Sequence, residues 1–452
     1  MNLLLRLGLI WLTLVPCAIA QNQTTNGEGE ANTQPVHSCL TPEQHEEIKA
    51  LLQAKLSLLR QSQKLDQNHP LFIFPLQKAK PSPALTPWYF INFVEHRPTV
   101  GPNDVNQYST YNRDYNCGNR TYNRSNGSKH TGTDIGLYPF AWQMMANEEV
   151  KVVAAAPGII FARREGNPDQ NCGSFTSGGD WNGVYLYHAD GSTTWYGHLK
   201  TGSVTTKPIG ATVAAGEFLG YVGSSGGSSA PHFHFEVYDA NNNLIDPFQG
   251  SCNSLNTNTW WQQQPNYAPK VLSRISIHQQ LPVLFTCPSS ANQPYEVNYG
   301  QPGQGLYFYA WGLNSDPGEP IRFDLLQPNG TVQTSRTFTI NNKYDLFYYF
   351  LYTSLPANAP SGTWQIQVTY AGTASRQPFT VLPYPVCESY DSGDWNQAAR
   401  WSCGQVPAST SLVQINAGHA VSIGAGQGGL AGSLRNYGRL IVGPGGRIQL
   451  SP

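Results

Sequence analysis

Pro231-His232-Phe233-His234-Phe235-Glu236-Val237-Tyr238 decides how the centre of this 452-residue chain is built. Phe233, Phe235 and Val237 alternate with His232, His234 and Glu236, and a period of two marks a strand. Side chains two apart on a strand share a face, so both imidazoles project into one cavity while the phenylalanines pack behind. One imidazole can hold a metal while the other reaches a water beside it. Glu236 lies on the same face and is a candidate to support the histidines from behind. Alone, a His-x-His pair also describes two exposed strand histidines, so the segment needs partners before it means chemistry.

Two upstream segments supply candidates. In His130-Thr131-Gly132-Thr133-Asp134-Ile135-Gly136 the histidine and the carboxylate are four residues apart. Fully extended chain would separate them by ~13 Å, too far for one ion, so the chain must bend, and Gly132 permits it. A helix would also bring them together, but the surrounding glycines and threonines argue against one. A polar turn is the alternative for this segment. Farther along, Tyr185-Leu186-Tyr187-His188-Ala189-Asp190-Gly191 reads as a strand entering an Asp-Gly hairpin turn, with Thr193 to Tyr196 returning. His198 follows that strand; in isolation it reads as a structural histidine. His188 has no evident chemical role and reads as a strand-end surface residue. Two histidines and one carboxylate form a tripod suited to zinc with a fourth position open for water. Two further histidines in range could accept and donate protons.

His130-x-x-x-Asp134, Gly197-His198-Leu199 and the stretch from Gly220 through Pro231-His232-Phe233-His234-Phe235-Glu236 together resemble the M23 family of metallopeptidases, the lysostaphin- or LytM-like peptidoglycan endopeptidases. The resemblance covers roughly residues 70 to 250 and is strongest from 130 to 238. It implies zinc ligation by His130, Asp134 and His234. It also implies that His198 and His232 activate the attacking water and stabilise the tetrahedral intermediate, in either order. The implied fold is a small antiparallel β-sheet domain with its site in a groove. The implied substrates are peptide bonds of bacterial cell-wall peptides, in glycine-rich bridges or involving D-amino acids. None of the five positions departs from the family pattern. The loop from Arg163 to Asp180, with Cys172, is expected to wall the groove.

The chain's start bears on compartment. Met1 to Arg6 carries one basic residue, Leu7 to Val15 is almost wholly apolar, and Ala18-Ile19-Ala20 offers small residues for cleavage. This is a signal-peptide pattern over 1–20, predicting a secreted, periplasmic or cell-surface protein. Lipidation of Cys17 is the rival reading, and Pro16 suits it poorly. No later run approaches ~20 apolar residues, so no membrane span is expected. Seven of the eight cysteines follow Cys17, and none forms a Cys-x-x-Cys pair, which favours disulfides over a thiolate metal cluster. Pairings that keep partners inside one expected domain or next to it are Cys117 with Cys172, Cys252 with Cys287, and Cys387 with Cys403. A formal net charge of −1 with few charged residues gives no footprint for nucleic acid or for electrostatic membrane attachment.

A chain of this length should hold several domains. Residues 21–69 read as a polar, flexible leader followed by a helix opened by Thr41-Pro42-Glu43-Gln44, with Leu51, Leu52, Leu56, Leu58 and Leu59 as its apolar stripe. The helix is expected to pack on the next domain, the peptidase-like region of 70–250. From Leu71 onward short β-branched and aromatic runs between turn residues predict a mainly β protein. Residues 271–384 suggest an immunoglobulin-like sandwich, with strands near Leu306–Trp311, Ile321–Leu326, Phe347–Tyr352 and Thr363–Tyr370. Its crowded aromatics, Tyr307 to Tyr309, Trp311 and Tyr348 to Phe350, read as core and cross-strand pairs before they read as a ligand platform. Residues 385–452 turn Gly-rich, with short strands near Leu412–Ile415, Val421–Ile423 and Leu440–Val442 that look like rungs of a small β-solenoid. The C-terminal β modules are candidates for a glycan or cell-surface contact, a structural cap being the plainer role. The leading function is a zinc endopeptidase of cell-wall peptides. The alternative is a non-cleaving cell-wall or glycan binding protein with a peptidase-like domain.

Overall fold

The computed structural model describes residues 27–30, 45–50, 53, 56–57, 66, 68–79, 85–97, 112–123, 129–171, 180–283, 296–382, 386–409 and 411–450. The expected signal peptide lies outside the described residues, as do Thr41, Leu51, Leu52, Leu58, Leu59, Cys39, Cys172 and Cys287. The chain is mainly β, and no helix among the described residues is long and apolar enough to cross a membrane.

The first strand, β1 (Gly27–Glu30), is followed in the central region by β2 (Leu76–Lys78), β3 (Trp88–Asn92), β4 (Thr133–Leu137), β5 (Val150–Val153) and β6 (Gly158–Arg164). Then come β7 (Gly183–Tyr187), β8 (Thr193–Gly197), β9 (Thr212–Val213), β10 (Phe218–Tyr221), β11 (His232–Tyr238) and β12 (Leu244–Ile245). An eight-stranded sheet runs in the order β3-β4-β11-β8-β7-β6-β9, with β12 also on β11, and a three-stranded sheet runs β10-β5-β2. The hairpin expected around Asp190-Gly191 is present, with Tyr187 opposite Thr193.

The two sheets bury one core between them. Phe233, Phe235 and Val237 of β11 join Ile135, Val184, Leu186 and Tyr196 of the large sheet and Leu76, Val150 and Val152 of the small one. Alternation along β11 therefore turns His232, His234, Glu236 and Tyr238 to the opposite face. Away from the histidines that face is aromatic: Phe161, Trp181, Tyr185, Tyr187, Trp195 and Tyr238 form a second cluster, covered by Ile48 and Leu56 of the N-terminal helix (helical at 45–50, 53 and 56–57). Burying Ile48 and Leu56 contributes about 1.5–3 kcal/mol each at most, enough to dock a short helix that would not persist alone. Ile48 and Leu56 thus pack on the large sheet; of the expected apolar stripe only Leu56 is among the described residues.

Three expectations change. Cys117 bonds Cys252, not Cys172, and so Cys252 is not free for Cys287. Domain membership does not choose between these partners; the fold does, since residues 112–123 lie against 246–253, with Tyr115 stacked on Phe248 at 4.8 Å and the Cys252 amide donating to the Tyr115 carbonyl. Cys387–Cys403 is formed as expected. His188 is not on the surface; it is buried, Nδ1 donating to the Pro157 carbonyl and Nε2 next to Thr194 Oγ1. Residues 27–30 of the leader form β1 on the edge of the strand Tyr344–Ser354, where unpaired backbone groups can accept another strand.

The next region contains β13 (Val271–His278), β14 (Tyr299–Gly300), β15 (Gly305–Ser315), β16 (Pro320–Leu326), β17 (Val332–Thr339), β18 (Tyr344–Ser354), β19 (Gly362–Tyr370) and β20 (Thr373–Val381). Sheets β1-β18-β15-β13 and β14-β20-β19-β16-β17 face each other across a core that includes Phe308, Phe323, Phe347, Tyr349 and Trp364. The remaining crowded aromatics are not a free platform. Tyr309, Trp311 and Phe350 lie buried against Tyr138 and Phe140 just beyond β4, and Tyr138 donates its hydroxyl to the Phe347 carbonyl at 2.7 Å. His278 is buried there, its Nε2 2.6 Å from Ser276 Oγ.

The C-terminal region has β21 (Val386–Glu388), β22 (Gly393–Asp394), β23 (Leu412–Ile415), β24 (Ala420–Ile423), β25 (Gly428–Ala431), β26 (Ser433–Asn436), β27 (Arg439–Val442) and β28 (Arg447–Leu450). They stack in parallel as β21-β23-β26, β22-β24-β27 and β25-β28 around Trp395, Trp401, Val413 and Ile423. Parallel pairing of successive short strands on separate faces is the arrangement of solenoid rungs.

Candidate metal centre

Register fixes the first two groups. His234 on β11 lies opposite Asp134 on β4 on one side and opposite Gly197 on β8 on the other. His234 Nδ1 is 2.7 Å from Asp134 Oδ1. His130 precedes β4, and the chain bends at Gly132 before the strand begins. Lack of space is what requires glycine at 132: a Cβ there would lie 2.5 Å from His234 Nε2 and 2.8 Å from the Phe235 carbonyl oxygen. The bend brings His130 Nε2 to 3.1 Å from Asp134 Oδ2, while Tyr122 stacks on the imidazole at 4.5 Å. One ligand atom from each of His130, Asp134 and His234 lies within 4.8 Å of the other two, and all three residues are buried.

Hydrogen bonds assign the tautomers. A carbonyl only accepts, so His130 Nδ1–H donates to Phe93 O (2.7 Å), His198 Nδ1–H to Ser225 O (2.5 Å) and His232 Nδ1–H to Ala230 O (2.8 Å). Each ring is left with a lone pair on Nε2. All three Nε2 atoms are buried, and none has a hydrogen-bond partner. Buried polar atoms are rarely left so, and three around one carboxylate fit a cation at His130 and proton chemistry at the other two. His198 and His232 sit with ring centroids 4.4 Å apart, and His198 is held at φ +60°, a left-handed conformation uncommon outside glycine.

His234 is turned the other way. Its Nε2–H donates to Glu236 Oε1 at 2.9 Å, which points Nδ1 at Asp134. Glu236 Oε1 also accepts from Thr131 Oγ1 (2.8 Å), and Oε2 accepts from the Tyr238 hydroxyl (2.5 Å) and from His45 Nε2 (3.0 Å). A carboxylate–histidine–metal line of this type fixes a ligand's orientation and basicity. On the other side Asn92 of β3 donates Nδ2–H to Asp134 Oδ2 at 3.1 Å.

The electrostatics are divided. Burial would raise the Asp134 and Glu236 carboxyls, but adjacent histidines hold both well below the usual range, His130 and His234 for Asp134, His45 and His234 for Glu236. Burial would lower His234, yet hydrogen bonds to Asp134 and Glu236 raise it to about 10. A pocket that grips a proton between two carboxylates is suited to a divalent cation, which would displace the Nδ1 proton on binding. His198 and His232 go the opposite way. Burial lowers both; neighbouring histidines lower His198 further, while at His232 the Asp134 carboxylate opposes burial without reversing it, so both are neutral bases at neutral pH.

All five histidine and aspartate candidates read from the sequence meet here. Residues 165–171 of the long loop lie against the site's flank: Glu165 accepts from the Gly202 and Val204 amides and Asn171 donates to the Gly226 carbonyl. The sequence reading missed Asn92, Thr131 and His45. Thr131 was flagged only by its place between candidates, and Asn92 and His45 carry no local signal.

Residues 128–247 match the description of peptidase family M23. The curated DD-carboxypeptidase/endopeptidase Mpg of Neisseria meningitidis serogroup B is 38% identical over 109 residues, which are 24% of this chain and 20% of that protein. The Neisseria gonorrhoeae protein of the same name matches over the same shares. The chain thus spans about a fifth of the length of these relatives. Among solved structures, the catalytic domain of lysostaphin from Staphylococcus simulans is 27% identical, covering 27% of this chain and 78% of that one with a TM-score of 0.20. The prophage-encoded M23 protein EnpA from Enterococcus faecalis is 26% identical, covering 26% and 77% with a TM-score of 0.20. Residues 128–247, the stretch that matches peptidase family M23, are also the ones that hold the histidine–aspartate cluster.

Proposed function

We propose that the protein is an exported zinc metalloendopeptidase that hydrolyses peptide bonds in the stem peptides or cross-bridges of bacterial peptidoglycan. The observation that carries this is the cluster of His130, Asp134 and His234, whose ligand atoms lie within 4.8 Å of one another, beside the partnerless, buried Nε2 atoms of His198 and His232. His130 through Nε2, Asp134 through its carboxylate and His234 through Nδ1 would hold the metal. Zinc there would supply Lewis-acid polarisation of the scissile carbonyl and make the attacking water more acidic. Of His198 and His232, each neutral with a lone pair on Nε2, one would take a proton from the attacking water and return it to the departing amine, and the other, protonated from solution, would donate to the oxyanion. Their Nδ1–H bonds to backbone carbonyls keep Nε2 aimed inward throughout.

The peptidoglycan substrate follows from the family and from the named activity of the Neisseria relatives. Export rests on the signal-peptide pattern of residues 1–20 and is in keeping with the disulfides Cys117–Cys252 and Cys387–Cys403. Residues 271–384, read as an immunoglobulin-like sandwich, and the solenoid-like 385–452 are accessory modules suited to glycan or cell-surface contact.

The division of labour is tested by two variants. His232→Ala should abolish cleavage of cell-wall peptides while zinc stays bound, and His234→Ala should lose both. Equal metal loss in the two variants would overturn the assignment of His232 to proton transfer.

A further inference from the structure

The N-terminal helix does more than cover an aromatic patch. His45 is 4% exposed and reaches 191 residues along the sequence to place Nε2 3.0 Å from Glu236 Oε2. Glu236 is itself buried, and its two oxygens accept from four donors: Thr131 and His234 on Oε1, Tyr238 and His45 on Oε2. A buried carboxylate stays fixed only while its acceptor sites are filled, and Glu236 in turn fixes the His234 ring. His45 is set in place from behind, its ring 5.3 Å from that of Trp195, with Ile48 on the same helix face in the aromatic cluster.

We propose that His45 is a positioning residue of the metal centre: the leader helix supplies the fourth hydrogen bond to Glu236 and thereby holds His234 Nδ1 in register for the metal. The helix is then a working part of the site. This rests on the metal-site reading above, and it assigns a function to a segment far outside the family-matched residues 128–247.

The test is zinc affinity of the full chain, measured by competition with a chromophoric chelator, for wild type, His45→Ala, His45→Gln and Ile48→Ala. Loss of an outer hydrogen-bond partner of a ligand costs on the order of tenfold in metal affinity, and His45→Ala should show a loss of that size. His45→Gln should recover most of it, because the glutamine amide N–H can occupy the Nε2 position and donate to Glu236. Ile48→Ala removes packing from the same helix without touching Glu236; it should lower the melting temperature and leave zinc affinity unchanged. Wild-type affinity in His45→Ala overturns the proposal, as does equal loss in His45→Ala and Ile48→Ala, which would make the helix mere packing. A wild-type chain that takes up no zinc overturns the metal-site reading itself, a result distinct from either.

Discussion

Gly132→Ala is the smallest change that should disable the centre without altering a candidate ligand. The added methyl would lie 2.5 Å from His234 Nε2, 2.6 Å from its Cε1 and 2.8 Å from the Phe235 carbonyl oxygen, where ordinary contact begins at 3.4 Å. Something must move by about 0.9 Å, the gap between 2.5 and 3.4 Å. The imidazole has little room, because Nε2 is bonded to Glu236, Nδ1 faces Asp134, and Trp181 lies at 5.1 Å. The Phe235 carbonyl belongs to a central strand and cannot retreat. The His130–Asp134 segment must therefore shift relative to His234. Misplacement by 1 Å costs roughly a hundredfold in rate, and overpacking costs about 1–3 kcal/mol of stability. The assay is kcat/KM on a cross-linked cell-wall peptide alongside zinc competition and a denaturant melt. The expected outcome is a large fall in rate and metal affinity with a folded protein. Wild-type rate and affinity in Gly132→Ala would refute the packing argument.

Two further outcomes are expected. Burial lowers His198 and His232 below the ordinary imidazole value of 6.5, so the neutral, proton-accepting form persists into more acidic solution, and the acid limb of the kcat/KM profile should lie below pH 6.5; a limb at or above that value contradicts it. Peptide mapping of the unreduced protein should recover Cys117 linked to Cys252, and replacing both by serine should cost about 2–5 kcal/mol in a denaturant titration, since the bond closes a loop of 135 residues; a Cys117–Cys172 peptide would contradict the pairing.

What the sequence disclosed was local. Alternation across His232 to Tyr238 identifies β11 and puts both imidazoles on one face, and Asp190-Gly191 marks the hairpin between β7 and β8. The bend at Gly132 follows from requiring His130 and Asp134 to meet. Periodicity says which face a side chain takes but not what lies across from it. Hence Cys117–Cys252, 135 positions apart, and the pairing of His45 with Glu236, 191 apart, could not be read. Asn92 was hidden for the same reason, its only signal being the register of β3 on β4. His188 was misjudged because strand-end position was equated with exposure, whereas the Pro157 carbonyl and Thr194 satisfy both its nitrogens inside the domain. β1 adds to a sheet edge, which its Gly-Glu-Gly-Glu sequence does not announce.

The central claim is metal-dependent cleavage of cell-wall peptides, and one measurement addresses it directly. Mature protein is incubated with purified peptidoglycan and synthetic cross-linked peptides, untreated, with chelator, and with chelator followed by zinc, and the products are read by mass spectrometry. The account predicts cleavage at a single type of peptide bond, lost with chelator and restored by zinc. Intact substrate in every arm, with zinc demonstrably bound, would contradict it and favour a binding protein built on a peptidase scaffold.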